Sequence, residues 1–130
     1  MADSNRIAAL YDEQGQSAWL DNLKRGYITS GQLVAIREGG VRGLTSNPSI
    51  FQKAISTGSD YDEQFGDLIQ GGRSVTDAYW DLVTTDIEGA LALLRPVYDS
   101  SDAIDGYVSV EVAPDLARDS AGTEAAARAL

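Results

Sequence analysis

Three short segments with strand character, separated by longer helical patterns, place the strongest limit on how this chain can fold. The segments are 17–21, 41–45 and 107–112, and apolar and polar side chains alternate along them. Helical spacing of apolar residues fills the sequence between these segments. Because strands joined by helices run parallel within one sheet, this order predicts an α/β protein built from βαβ units.

The helical patterns also predict where most helices lie. Those expected are 5–14, one that runs from a capping box to Gly39, 49–56, 61–70, one opened by Ser74, one capped by Thr85 and Asp86, and an alanine-rich helix opened by Gly122. Arg95-Pro96 is typical of a helix bend or end. Gly39-Gly40 and Gly71-Gly72 indicate helix termination, since no phosphate-loop fingerprint follows them.

Local capping signals predict three of the helix starts. Thr29 and Gln32 have the spacing of a capping box. Asn47 followed by Pro48 combines a preferred N-cap residue with a proline in the first turn, so a helix is expected directly after the second strand. Thr85-Asp86 predicts that a new helix begins there, separate from the one opened by Ser74.

Composition excludes several kinds of chemistry. The 130 residues include no His and no Cys, which removes disulfides, thiolate nucleophiles, Cys-ligated zinc and any Ser-His pair. Carboxylates, Lys, Tyr, Ser, Thr and Asn remain for catalysis. The formal net charge of −10 argues against nucleic acid and anionic membranes as partners. The sequence shows neither a signal-peptide pattern nor an apolar run near the ~20 residues that a membrane span needs, so we expect a cytoplasmic protein.

Polar side chains stand where each predicted strand ends. Asp21 ends the first strand, Thr45 and Asn47 follow the second, and Glu111 lies near the end of the third. Parallel α/β enzymes build their active sites at this edge of the sheet. Glu111 is flanked by valines that alternate to the other face, and a carboxyl in apolar surroundings is suited to proton transfer near neutral pH. The alternative hypothesis is that these acids simply begin solvated loops.

Other residues carry weaker signals. The acidic run 60–63 lacks the spacing of a calcium loop and is typical of a charged first helical turn. Trp19 is a candidate either for lining a pocket beside Asp21 or for packing in the core of a barrel. Lys24 and Lys53 are interpreted as surface charges.

Three segments in order resemble the transaldolase family. They are Ser17–Asp21, Gly43–Phe51 with its Thr-x-Asn-Pro-Ser motif, and Val108–Val112 followed by Asp115-Leu116. The resemblance extends over essentially the whole chain and is nearest to the longer bacterial transaldolases of actinobacterial type. It implies the (β/α)8 TIM-barrel fold, here an incomplete barrel with the first three parallel strands and their helices. Residues 1–130 are then the N-terminal part of a single barrel that ends inside the helix after the third strand.

The resemblance also implies an activity of the pentose phosphate pathway. A transaldolase transfers a dihydroxyacetone unit from a ketose phosphate (sedoheptulose 7-phosphate or fructose 6-phosphate) to an aldose phosphate (glyceraldehyde 3-phosphate or erythrose 4-phosphate). It does so through a lysine Schiff base, with no metal and no organic cofactor. By resemblance, Asp21 takes part in proton transfer, Glu111 acts through a water molecule, Asn47 binds the dihydroxyacetone moiety and Thr45 supports that network.

The chain departs from the family pattern in ways that matter. Ala113 stands where the family often has Asp, and Ser46 where it often has a second Thr. The Schiff-base lysine is expected on the next strand, beyond Leu130, and the phosphate-binding Ser and Arg residues further on. We therefore expect the 130-residue chain to be inactive alone, and to associate with itself or with the missing part of the barrel.

Two other functions remain open at this point. One is a non-catalytic acidic interaction or regulatory module derived from the barrel, for which a clean monomer in solution would be the sign. The other is a fructose-6-phosphate-type aldolase, which releases the three-carbon unit instead of transferring it. Dependence on an acceptor sugar separates the second from a transaldolase.

Overall fold

Three parallel strands form one sheet in the order β1-β2-β3, and helices connect them. The computed structural model describes residues 5–130. The strands are β1 (Ala18–Asp21), β2 (Val41–Thr45) and β3 (Val108–Ser109). The helices are α1 (Arg6–Gln14), α2 (Arg25–Thr29), α3 (Gln32–Glu38), α4 (Pro48–Thr57), α5 (Asp62–Gln70), α6 (Val75–Ser100) and α7 (Ser120–Ala129), with a 3-10 turn at Pro114–Leu116. The predicted α/β architecture with parallel strands is confirmed.

The two faces of the sheet differ in what covers them. The packed face carries Leu20, Leu44 and Val108, which meet a core formed with residues of the surrounding helices. The buried members of that core are Leu23, Leu33, Leu44, Phe51, Val83, Ala90 and Leu94. The open face carries Trp19, Thr45 and Asp21, and Trp19 is 40% exposed. The predicted alternation of inward and outward side chains in β1 is therefore confirmed.

Gly43 explains how the indole of Trp19 lies flat against the open face. A Cβ atom at position 43 would fall 2.5 Å from Cε2 of Trp19. Only glycine leaves room for the ring to cross β2 at this point. Both roles considered for Trp19 stay predictions, because only three strands are present within the described residues and the ring covers part of their open face.

Helix α6 is one continuous element, so the prediction of two helices meeting at Thr85-Asp86 is wrong. The buried residues Leu82, Asp86, Ala90 and Leu94 recur every four positions and hold one side of the helix against the core. The hydroxyl of Thr85 donates to the carbonyl of Asp81 at 2.8 Å, which is a bond within a helix and not an N-cap. Pro96 lies inside α6 without ending it, and the helix continues to Ser100.

Three other local predictions need correction. Thr29 ends α2 instead of opening a helix, and α3 begins after Gly31, whose φ of 79° is left-handed. The third strand is shorter than 107–112 because β2 provides only Leu44 and Thr45 as ladder partners. The last helix begins at Ser120, two residues earlier than predicted, because the carboxylate of Asp119 accepts from the amide of Gly122 at 2.9 Å. The remaining predicted helices and the first two strands are confirmed to within a few residues.

The amino-terminal ends of the strands, here called the amino edge, are joined by a buried ion pair. Nε of Arg42 lies 2.5 Å from Oδ2 of Asp105, and the hydroxyl of Ser17 donates to the same oxygen at 3.0 Å. The ring of Tyr11 lies against the Arg42 guanidinium, 3.5 Å from ring centroid to Cζ. The backbone N–H of Asp105 donates to the hydroxyl of Ser101. This cluster links the ends of β1 and β2 to the segment that enters β3.

Within residues 5–130, no helix is both long enough and apolar enough to cross a membrane.

Candidate active site

The carboxyl-terminal ends of the strands, here called the carboxyl edge, bring Asp21 and Thr45 together. The two residues are direct partners in the β1–β2 register. The hydroxyl of Thr45 donates to Oδ1 of Asp21 at 2.6 Å. Asp21 is exposed, and no cation within residues 5–130 forms an ion pair with it. Its second oxygen, Oδ2, is therefore free to accept a proton or a hydrogen bond from a ligand.

Ser46 fastens the end of β2 to β3. Its backbone N–H and its hydroxyl both donate to the carbonyl of Ser109, at 3.0 and 2.9 Å. The side chain of Ser46 is buried, so both bonds lie out of water. This double contact fixes the register that places Thr45 opposite Ser109. Ser46 stands where the family often has Thr, and both residue types carry a hydroxyl. In this chain the hydroxyl donates its hydrogen bond to β3 and so serves the fold.

Asn47 is held at the point where β2 passes into α4. Its Oδ1 accepts from the backbone N–H of Ile50 at 3.0 Å, and Pro48 occupies the first helical position. The predicted N-cap is therefore confirmed. The side-chain oxygen is occupied by the cap, whereas the Nδ2 amide has no hydrogen-bond partner within the described part of the chain. That amide remains available as a donor to a ligand.

Glu111 lies two residues beyond β3 and is exposed. Val110 and Val112 on either side of it are half-buried, and Val110 packs against the core, as the alternation predicts. Their presence does not bury the carboxyl, so the apolar environment expected for Glu111 is absent in this structure. No hydrogen bond or ion pair of its carboxylate is found in residues 5–130. The structure does not bring Glu111 into contact with Asp21, Thr45 or Asn47.

A buried cluster of Arg25, Tyr61 and Asp86 fixes the loop that follows Asp21. Nε of Arg25 donates to Oδ1 of Asp86 at 2.8 Å, and the hydroxyl of Tyr61 donates to Oδ2 of Asp86 at 2.7 Å. The backbone N–H of Arg25 donates to the Tyr61 hydroxyl at 3.0 Å. Asp86 is 1% exposed and Tyr61 is 2% exposed. Burial raises the pKa of Tyr61, which keeps its hydroxyl protonated as the donor to Asp86.

Sequence reasoning missed this cluster, although one signal was present. Asp86 occupies a position on the apolar stripe of α6, four residues from Leu82 and four from Ala90. A carboxylate on such a stripe requires a buried partner. Leu23, which is fully buried in the hydrophobic core, anchors the same loop. Together these contacts hold the loop that follows Asp21 in place.

The two lysines are exposed, as predicted, and neither lies on a strand. Within residues 5–130, no group of three or more His, Cys, Asp or Glu side chains is placed to hold a metal ion.

The carboxyl edge offers the carboxylate of Asp21, the hydroxyl of Thr45 that orients it and the free amide of Asn47 as a donor. Such a set can bind a hydroxylated substrate and move protons to and from its hydroxyl groups.

Comparison with known proteins shows which family the chain belongs to. Residues 18–130 match the protein family described as Transaldolase/Fructose-6-phosphate aldolase. Transaldolase 1 of Streptomyces coelicolor is 50% identical over 119 residues, which cover 91% of this chain and 31% of that protein. Transaldolase 2 of Nostoc punctiforme is 44% identical over 117 residues, which cover 89% of this chain and 31% of that protein.

A further relative gives the same result. The transaldolase of Thermobifida fusca is 46% identical over 119 residues, covering 91% of this chain and 32% of that protein. The chain thus spans about a third of the length of the curated relatives it matches. Because the family match extends from β1 to the last residue, the chain belongs to the transaldolase/fructose-6-phosphate aldolase family.

Proposed function

We propose that this chain supplies the first part of a transaldolase active site, which transfers a dihydroxyacetone unit from a ketose phosphate to an aldose phosphate in the cytoplasm. The observation that carries the proposal is the hydrogen bond of 2.6 Å between Thr45 and Asp21 at the carboxyl edge. In (β/α)8 barrels this edge is where catalytic side chains gather. The parallel order of β1, β2 and β3 fits three neighbouring strands of such a barrel.

Asp21 is proposed to take and return the proton of a substrate hydroxyl. Cleavage of the carbon–carbon bond turns the carbon that bears this hydroxyl into an aldehyde, so its proton must leave. The Thr45 hydroxyl occupies Oδ1 of Asp21 and thereby directs Oδ2 toward the substrate. The free amide of Asn47 is proposed to donate to an oxygen of the dihydroxyacetone unit.

Glu111 is proposed to act through a water molecule in forming and dehydrating the carbinolamine. Its exposure in this structure leaves the carboxylate open to water. The Schiff base itself is assigned to a lysine outside residues 1–130, since Lys24 lies in a loop and Lys53 on α4, so that neither lies on a strand of the sheet. The chain is accordingly proposed to be inactive by itself.

A hybrid enzyme tests this proposal. The matching segment of Streptomyces coelicolor Transaldolase 1 is replaced by this chain, and transfer from fructose 6-phosphate to erythrose 4-phosphate is measured. We expect the hybrid to be active and Asp21→Asn to lower its kcat by about a hundredfold or more, the usual contribution of a general acid–base. Asp12→Asn, an exposed carboxylate on α1, is the matched control and should leave kcat unchanged. An active Asp21→Asn hybrid would contradict the role of Asp21.

Reduction with borohydride in the presence of fructose 6-phosphate tests the assignment of the lysine. The 130-residue chain should gain no mass from a trapped three-carbon unit, whereas the active hybrid should gain one. A modified Lys24 or Lys53 would show that the imine forms within this chain and that the assignment is wrong.

The family description also names fructose-6-phosphate aldolase, which favours one second candidate. An aldolase releases free dihydroxyacetone, whereas a transaldolase needs an acceptor. The hybrid, whose remaining part comes from a transaldolase, cannot decide this for the native protein. The assay of the protein isolated from its source can: product formation without erythrose 4-phosphate would favour the aldolase.

A further inference from the structure

The buried cluster of Arg25, Tyr61 and Asp86, here called the Arg25 cluster, joins three segments that are far apart in sequence. Arg25 opens α2 directly after the loop 22–24, Tyr61 precedes α5, and Asp86 lies in the middle of α6. The backbone N–H of Arg25 donates to the Tyr61 hydroxyl at 3.0 Å, so the cluster holds the backbone itself at this point. The loop that follows Asp21 is therefore attached at its far end to α5 and α6.

The start of α2 also packs closely against the segment before α5. Nη1 of Arg25 lies 3.4 Å from the carbonyl oxygen of Asp60, and its Cζ lies 4.5 Å from the ring centroid of Tyr61. A Cβ atom at Gly26 would lie 3.3 Å from Oδ2 of Asp60, so the absence of a side chain there lets Asp60 approach. The hydrogen bonds of the cluster are thus supported by direct contact between the two segments.

The chemistry of the Arg25 cluster favours a positioning role over a purely stabilising one. The side chain of Arg25 is 14% exposed and that of Asp86 is 1% exposed, so both charges are largely out of water. Apolar residues of similar volume often stabilise a fold as well as a buried ion pair does, or better. What the pair adds is direction, because the planar guanidinium and the carboxylate fix each other's orientation through the bond from Nε to Oδ1.

Asp21 needs such support because the sheet does not hold the chain beyond it. The β1–β2 ladder ends at Asp21 and Thr45. Asp21 is exposed, and within residues 5–130 its carboxylate accepts one side-chain hydrogen bond, from Thr45. In the loop 22–24 only Leu23 is buried. The backbone after Asp21 is therefore held at two points, Leu23 and Arg25.

We propose that Arg25, Tyr61 and Asp86 are positioning residues for the proposed reaction, which hold the loop after β1 so that the carboxylate of Asp21 keeps its direction toward the substrate. The inference rests on the proposed function, because it assigns these residues an effect on Asp21 as the proton-transfer group. The three residues touch no substrate atom and act through the backbone that carries Asp21. A displacement of about 1 Å in a catalytic group can lower the rate by about a hundredfold, so changes in the cluster should alter kcat.

The hybrid enzyme tests the inference through kcat and KM. Tyr61→Phe and Arg25→Lys should each lower kcat by about tenfold and change KM for fructose 6-phosphate by less than about twofold. Asp105→Asn, which weakens the buried pair at the amino edge, is the control for lost stability and should have a far smaller effect on kcat. Tyr79→Phe removes a hydroxyl that has no hydrogen-bond partner in residues 5–130 and should leave both constants unchanged. Equal losses of kcat in the Tyr61 and Asp105 variants would overturn the inference.

A double variant separates the positioning of Asp21 from a general structural effect. When Asp21→Asn is already present, adding Arg25→Lys should lower kcat by less than about twofold further, since both changes act on the same group. A merely structural role predicts that the second substitution still lowers kcat by its full factor of about ten. Such additivity would overturn the inference.

Hydrogen exchange of the 15N-labelled 130-residue chain gives a measurement that does not depend on turnover. Arg25→Lys should speed the exchange of the backbone amides of residues 22–25 by about tenfold or more, because local opening of the loop becomes easier. Asp105→Asn should speed these amides only as much as those of the rest of the chain. Unchanged exchange in residues 22–25 overturns this inference, whatever the activity of the hybrid. Faster exchange there, together with full activity of the Asp21→Asn hybrid, would confirm that the cluster holds the loop and would contradict the proposed function.

Discussion

The two edges of the same three-stranded sheet use their charged residues in opposite ways. At the amino edge, Arg42 and Asp105 pair with each other, are largely buried and have further partners in Ser17 and Tyr11. At the carboxyl edge, Asp21 is exposed and receives one hydrogen bond, from Thr45. No cation in the described residues compensates its charge. Both edges belong to the same three strands in the same register, so the difference lies in the side chains at each edge.

Together with the proposed function, this difference implies that the sheet separates stability from chemistry. A charge that is paired and buried contributes to holding strands together, because breaking the pair leaves an uncompensated ion in the interior. A charge that is exposed and only oriented by a neighbour contributes little to stability and remains free to react. The division follows the general rule that one edge of a (β/α)8 barrel serves stability and the other catalysis.

Breaking the amino-edge pair should give the largest effect. Asp105→Ala removes the partner of Arg42 and leaves a guanidinium that is mostly out of water. We expect the free energy of unfolding to fall by about 3–5 kcal/mol, as measured by urea denaturation. Asp99→Ala, which breaks the exposed pair with Arg95, is the control and should cost less than about 0.5 kcal/mol. Similar costs for both variants would contradict the distinction between buried and exposed pairs.

Removing the hydroxyl of Tyr61 should have an intermediate effect. Tyr61→Phe keeps the ring but leaves an oxygen of Asp86 and the N–H of Arg25 without their partner. The expected loss in the free energy of unfolding is about 1–3 kcal/mol. Tyr79→Phe is the matched control, since no hydrogen bond of the Tyr79 hydroxyl is found in residues 5–130. If both substitutions cost the same, the cluster does not brace the loop after β1.

High pH should destabilise the protein through the same tyrosine. Burial raises the pKa of Tyr61 above its ordinary value of 10.0 in the folded state. Above pH 10 the unfolded chain therefore releases this proton while the folded chain keeps it, and the free energy of unfolding falls as pH rises. The slope contributed by Tyr61 should approach about 1.4 kcal/mol per pH unit. Urea denaturation between pH 9 and 11 should show a smaller slope for Tyr61→Phe, and an unchanged slope would refute the assignment.

The smallest effect on stability is expected at the carboxyl edge. Asp21→Asn keeps the size of the side chain and the oxygen that accepts from Thr45. The free energy of unfolding should change by less than about 0.5 kcal/mol, the usual range for an exposed substitution. A loss comparable to that of Asp105→Ala would mean that Asp21 serves the fold as well, and the contrast between the edges would disappear.

Local patterns were enough to predict the residues of the carboxyl edge. The period-two alternation in β1 and the Asn47-Pro48 cap each depend on neighbours in sequence, and parallel strands bring their ends to one edge. Asp21 and Thr45 therefore lie together as expected, and Asn47 follows at the end of β2. Glu111 differs because β3 ends at Ser109, so the strand geometry assumed for it does not extend that far.

Tertiary contacts decide the features that the sequence did not reveal. Thr85-Asp86 has the composition of a helix cap, yet Asp86 lies inside α6 because Arg25 and Tyr61, which are 61 and 25 positions away, neutralise and hydrogen-bond it. Contacts between residues so distant in sequence leave no local pattern.

The proposed division between a stabilising amino edge and a catalytic carboxyl edge can be measured with one pair of variants. Asp21→Asn and Asp105→Asn are introduced separately into the hybrid enzyme, and both kcat and the free energy of unfolding are determined for each. We predict that Asp21→Asn lowers kcat by about a hundredfold or more with little change in stability, and that Asp105→Asn lowers stability with a far smaller change in kcat. If Asp105→Asn abolishes turnover in folded enzyme while Asp21→Asn remains active, the assignment of the two edges is wrong.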